Sequence, residues 1–150
     1  MLSEVGIFRE HLDSSATLDQ PATNQEIAEF EAHYKIKFPP DVREYFLKLN
    51  GVYIGSGFIA LESLINWHLL VEDEYISAKF TREILTQADQ YFKFGNYGIL
   101  NWSWSIRLNP NPALETPIVV IDQTATKVAV SFTAFLEKFR TDGPESLLGL

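Results

Sequence analysis

From Leu100 to Leu108 an apolar residue falls on every second position: Leu100, Trp102, Trp104, Ile106 and Leu108, with Asn101, Ser103, Ser105 and Arg107 between them. A period of two belongs to a strand, whose successive side chains point to opposite faces. The pattern predicts a strand with one buried and one wet face. It commits the second half of the chain to a sheet. Tyr91-Phe92-Lys93-Phe94 precedes it, with a turn expected at Gly95-Asn96-Tyr97-Gly98, and Asn109-Pro110-Asn111-Pro112 stops it. Ile118-Val119-Val120-Ile121 is apolar on both parities, as a central strand is. Asp122-Gln123-Thr124-Ala125 turns back into Val128-Ala129-Val130.

The first half has the other period. Val5, Phe8 and Leu12 predict a helix near residues 3–12, followed by a polar loop through Ser14, Ser15, Asp19 and Pro21. Thr23-Asn24-Gln25-Glu26 reads as a capping box opening a second helix with Ile27, Phe30 and Tyr34 on one face. Pro39-Pro40 breaks the chain, Asp41 is expected to cap a third helix, and Val42, Tyr45, Phe46 and Leu49 form its stripe. Asn50-Gly51 ends that helix. Phe58-Ile59-Ala60-Leu61 is a short strand candidate, and Glu62–Glu74 and Thr81–Asp89 are helix candidates. Ser131 caps a last helix with Phe132, Phe135, Leu136 and Phe139 on its apolar stripe, and residues 141–150 are expected to be a loose tail. Helices first, a mainly antiparallel sheet next and a closing helix predict an α+β fold, with helices packed around one twisted sheet, in a single domain over residues 1–150.

Composition narrows the chemistry. The absence of cysteine removes disulfides, thiolate metal sites and cysteine nucleophiles. No apolar run is long enough to cross a membrane and the N-terminus lacks the pattern of a signal peptide, so a cytoplasmic protein is expected. Twelve Lys and Arg against twenty Asp and Glu give a net charge of -8. That field attracts basic partners and repels nucleic acid and anionic lipid.

No catalytic motif emerges. His11, His33 and His68 share no metal-ligand spacing. His68 and Glu72 would share a helical face, but two ligands make a poor zinc site. Ser56 between two glycines lacks the strand-then-helix context of a nucleophile elbow. The Gly51–Gly57 stretch follows a helix instead of opening one, so it is no phosphate cradle. No enzyme, cofactor or metal is therefore expected. The candidate partner-binding residues are the acidic Glu62, Glu72, Asp73, Glu74 and Asp122, with Trp67, Trp102 or Trp104 as an aromatic anchor. The competing readings are a solvated acidic face and tryptophans that belong to the core.

Three segments together resemble the SUKH superfamily, in particular its SMI/KNR-type domain. They are Thr23-x-x-Glu26-Ile27-x-x-Phe30-Glu31 followed by Phe38-Pro39, then Asp41-Val42-Arg43-Glu44-Tyr45-Phe46-Leu47 ending in Asn50-Gly51, then Val128-Ala129-Val130-Ser131-Phe132-x-x-Phe135-Leu136. The resemblance spans about residues 21–140. It implies an α+β fold and, for bacterial members, a cytosolic immunity protein that binds and neutralises a cognate toxin, often a nuclease. The matching motifs are caps, a helix stop and core stripes, so no contact residue transfers. A basic toxin partner is thus the expectation, met by a monomer or weak dimer. The other readings are a regulatory or scaffolding domain without a toxin, and a small-ligand binder using a pocket beside Gly51–Gly57.

Overall fold

The structure is a computed structural model that describes residues 2–73, 88–99, 101–111 and 115–150. Among these residues four helices, α1 (Glu4–His11), α2 (Asn24–Tyr34), α3 (Pro40–Lys48) and α4 (Phe132–Asp142), accompany an eight-stranded sheet. The strands are β1 (Thr17–Leu18), β2 (Val52–Ile54), β3 (Ile59–Leu61), β4 (His68–Leu69), β5 (Tyr91–Tyr97), β6 (Trp102–Arg107), β7 (Ile118–Ile121) and β8 (Ala125–Ala129). Their order is β1-β2-β3-β5-β6-β7-β8, every pairing is antiparallel, and β4 joins the same strand β5 as β3 does. The α+β class read from the sequence is the class observed.

The caps explain where the helices begin. Thr23 Oγ1 accepts from Glu26 N at 3.1 Å, and the Glu26 carboxylate accepts from Thr23 N at 3.0 Å. Ser131 Oγ accepts from Ala134 N at 3.1 Å to open α4. Asp41 does not cap α3, because Pro39 occupies the cap and Pro40 the first turn, where a missing N–H costs nothing. Its carboxylate instead accepts from Thr133 N and Thr133 Oγ1, at 2.9 and 2.8 Å, and so ties α3 to the first turn of α4.

One buried carboxylate fixes the turn between α2 and α3. Glu31 is only 5% exposed. One oxygen accepts from Phe38 N and the other from the Arg43 guanidinium, each at 2.7 Å. A buried charge is tolerable only when paired in this way.

The apolar parity of β6 faces the helices. Trp104 is fully buried, stacks edge-on against Phe135 at 5.2 Å, and donates its indole N–H to Leu147 O at 2.9 Å. That bond docks the chain end: Leu147 and Leu148 are buried, so the tail is not loose. The other face of β6 is not wet. Ser103 and Ser105 are buried as well, and beside them Leu70 and Ala88 pack with Ile121, Tyr91 and Val119 into a second, smaller core. Alternation reports residue type correctly and exposure incorrectly.

Two further expectations change. Residues 62–72 form no α-helix; short 3-10 turns at Leu64–Asn66 and Leu70–Glu72 flank β4. The Thr81–Asp89 helix candidate lies mostly outside the described residues. Gly95 is not in a turn but inside β5, next to a register shift between Lys93 and Gly95, and the turn comes at Gly98 and Ile99, both with positive φ. Gly95 is needed for close approach. A Cβ there would lie 2.6 Å from Ala60 O and 3.1 Å from the Trp104 ring. Gly95→Ala should therefore lose about 1–3 kcal/mol, and chemical denaturation checks it; unchanged stability would show that the β3–β5 contact yields.

Candidate partner-binding surface

Strands β3 and β4 share one edge of β5, and between them the chain leaves that edge as a turn. Glu62 N returns to Phe94 O at 2.7 Å, after which Leu64–Asn66 swings outward. The core holds this turn from beneath. Tyr45, fully buried, donates its hydroxyl toward Glu62 O at 2.8 Å and Leu61 O at 3.1 Å, and accepts from Gly51 N at 3.0 Å. Burial pushes its pKa well up, so it stays a donor. Trp67 donates its indole N–H to the same Glu62 carbonyl at 3.0 Å. Asn50 adds a third tie, with Oδ1 accepting from Leu64 N at 2.8 Å and Nδ2 donating to Gln20 O at 2.7 Å.

The outcome is an exposed isoleucine on a rigid base. Ile65 is 89% exposed while its neighbours Leu64 and Trp67 are 5% and 2% exposed. It borders two concavities. One, of about 430 Å³, lies against α2 and is lined by Glu26, Glu29, Phe30, His33 and Tyr34. The other, of about 440 Å³, lies on the outer sheet face and is lined by Glu62, Asn66, His68, Lys93 and Asn96.

The carboxylates of this surface are held in place by neutral donors. Tyr53 OH lies 3.2 Å from Glu62 Oε2 and 3.1 Å from Asp19 Oδ2. Burial, then the Glu62 charge and the Asp19 hydrogen bond, push Tyr53 up to about 12. Tyr34 OH donates to Glu72 Oε1 at 2.9 Å, and burial followed by that contact pushes Tyr34 up to about 12 as well. Both hydroxyls are protonated near neutral pH.

The expected contact residues distribute unevenly. Glu62 lines the outer-face concavity, and Glu72, exposed on the turn after β4, lines neither concavity. Asp73 is largely enclosed, with His68 Nε2 at 2.8 Å and Lys93 Nζ at 3.4 Å, so it is not a free docking charge. His68 turns to Asp73 and not to Glu72, which removes that candidate metal pair. Asp122 belongs to the β7–β8 turn, where it accepts from Thr124 N at 2.9 Å, and lines neither concavity. Glu74 lies outside the described residues.

None of the three tryptophans is fully exposed. Trp67 is core, 4.8 Å from the Phe46 ring and 5.4 Å from Phe94, and Trp104 is core beneath α4. Trp102 is half-buried against Tyr97 at 5.7 Å. The large apolar side chain that stands exposed on this surface is Ile65. Its signal is present in the sequence: Leu64 and Trp67 are one turn apart, and Ile65 is the apolar residue out of phase with them.

Among the described residues no three His, Asp or Glu side chains gather as metal ligands, and no helix is long and apolar enough to cross a membrane. Ser56 sits exposed at the tip of the β2–β3 turn with a positive φ. What remains is an α+β domain that presents a shaped, acid-rimmed surface on a stiff support. The model of the SMI1 / KNR4 family (SUKH-1) matches residues 21–138, more than three quarters of the chain, and the chain belongs to that family. The family is one of non-enzymatic immunity and SMI1/KNR4-type domains, and membership implies a protein partner. A comparison with curated proteins finds no significant match.

The Asn50 bridges give a test of the support. Asn50 has φ 46°, so Asn50→Gly keeps the left-handed backbone and loses only the two side-chain bonds, about 1–2 kcal/mol. Asn50→Ala adds backbone strain of about 1 kcal/mol. In both, hydrogen exchange should show the Leu64 amide losing protection. A Leu64 amide that stayed protected would mean that the bridge does not hold the turn.

Proposed function

We propose that this protein is a cytoplasmic, single-domain immunity protein that binds a cognate toxin, a basic protein such as a nuclease, and neutralises it by occupying its surface. The observation that carries the reading is Ile65, an almost fully exposed isoleucine held on a turn that the core grips at Tyr45, Trp67 and Asn50. An exposed apolar side chain on a rigid base suits a partner's pocket, because little entropy is lost when it is buried. Around it stand Glu26, Glu29 and Glu62, in a chain of net charge -8. An acidic rim raises the association rate with a basic partner and disfavours neutral or acidic ones.

The experiment is co-expression with any toxin domain found encoded beside the gene, scoring survival and recovery of a complex. Wild-type protein should protect and co-purify. Ile65→Asp should abolish protection while the isolated variant unfolds at the wild-type denaturant concentration, since the side chain is solvent-exposed. Glu29→Lys with Glu62→Lys should slow association, and the effect should shrink as salt is raised. Full protection by Ile65→Asp would place the interface elsewhere.

A further inference from the structure

The outer-face concavity contains a polar group without a partner among the described residues. Asn96 pairs through its backbone with Ala60 on one side and Ser103 on the other, which fixes its side chain on the outer face. The residue is 7% exposed, lines the concavity, and its carboxamide makes no hydrogen bond among the described residues. Its polar atoms are open to the concavity, where an entering group can complete their hydrogen bonding.

The charges around it indicate what would. Lys93 is already matched by Asp73, whose carboxylate also meets His68. Glu62 has no matching cation among the described residues: its two side-chain partners there are the neutral Tyr53 hydroxyl and Asn66 carboxamide, each at 3.2 Å. The single Tyr53 proton is contested by Asp19 as well. The concavity therefore offers a carboxylate and an amide oxygen to a donor that carries positive charge.

We propose that this concavity receives an arginine side chain of the partner, with its guanidinium shared between Glu62 and Asn96 and its methylenes lying along Ile65. The proposal rests on the protein-binding reading above and names the chemistry of one contact. A guanidinium has five donors in a planar fork and meets a carboxylate through two of them. Its aliphatic stem tolerates apolar surroundings such as Ile65. An anion in the same place would face Glu62.

The test uses the free protein and a blocked arginine, N-acetyl-arginine methylamide, followed by the NMR resonances of the Asn96 carboxamide. The neutral, same-shaped citrulline derivative and the N-acetyl-glutamate methylamide serve as comparisons. Arginine should give a saturable shift at Asn96, weakened roughly tenfold or more in the isosteric Glu62→Gln, with citrulline at least as weak. Equal binding of citrulline and arginine, tighter binding of the glutamate derivative, or no saturable shift would each overturn the proposal. None of these results depends on the toxin, so failure here leaves the immunity reading standing. Failure of co-expression likewise leaves this site to be judged by its own titration.

Discussion

Asn50 reaches in two directions from the end of α3, and the arrangement of the whole front of the molecule follows. Its left-handed backbone stops the helix, its amide nitrogen holds the loop at Gln20, and its amide oxygen holds Leu64. Gly51 then passes so close to Asp19 that a Cβ would lie 2.8 Å from its carboxylate. A helix end leaves backbone groups needing partners, and here Tyr45, one turn back, reaches forward to Gly51 N and on to the carbonyls of Leu61 and Glu62. The stop signal, the start of the sheet and the presenting turn are thus one hydrogen-bonded unit.

A second unit of the same kind closes the back. Glu31 would be costly in the interior if unpaired, yet it is the group that Phe38 N and Arg43 both require. It lets α2 reverse into α3 through Pro39-Pro40, a sequence that has few N–H groups to stabilise its own turn. Aromatic rings then fill the space between helices and sheet, with Trp67 in contact with Phe38, Phe46 and Phe94. Among the residues that carry the family resemblance, Glu31, Arg43, Tyr45 and Asn50-Gly51 take part in these two units.

Much of this is legible in the amino-acid sequence. Helices α1 to α4, the parity of β6 and the caps at Thr23 and Ser131 are local events, written in spacings of two, three and four residues. What is illegible depends on distant chain. Ser105 looks solvent-facing until Leu70 and Ala88 arrive beside its face, and Asp41 looks like a cap until Thr133 arrives. Gly95 looks like a turn residue because nothing in sequence announces that Ala60 O will press against it. At the site, Glu62 reads as a surface carboxylate and does line a concavity, but the tryptophans are readable only by type. Large rings favour interfaces and cores alike, and only the packing of Trp67 and Trp104 decides between them.

Glu62 divides its duties between its two halves. Its carbonyl is gripped from inside by Tyr45 and Trp67, and its N–H is fixed to Phe94 O. Its side chain faces outward, where its carboxylate accepts from Tyr53 OH and Asn66 Nδ2. Ile65 is similar, a position whose backbone is set by neighbours and whose side chain packs on almost nothing. Side-chain identity at Ile65 is therefore nearly decoupled from folding, whereas at Glu62 it is tied to the Tyr53 and Asn66 hydrogen bonds. A substitution at Ile65 can thus change what this surface presents to its surroundings without reopening the question of whether the chain still folds.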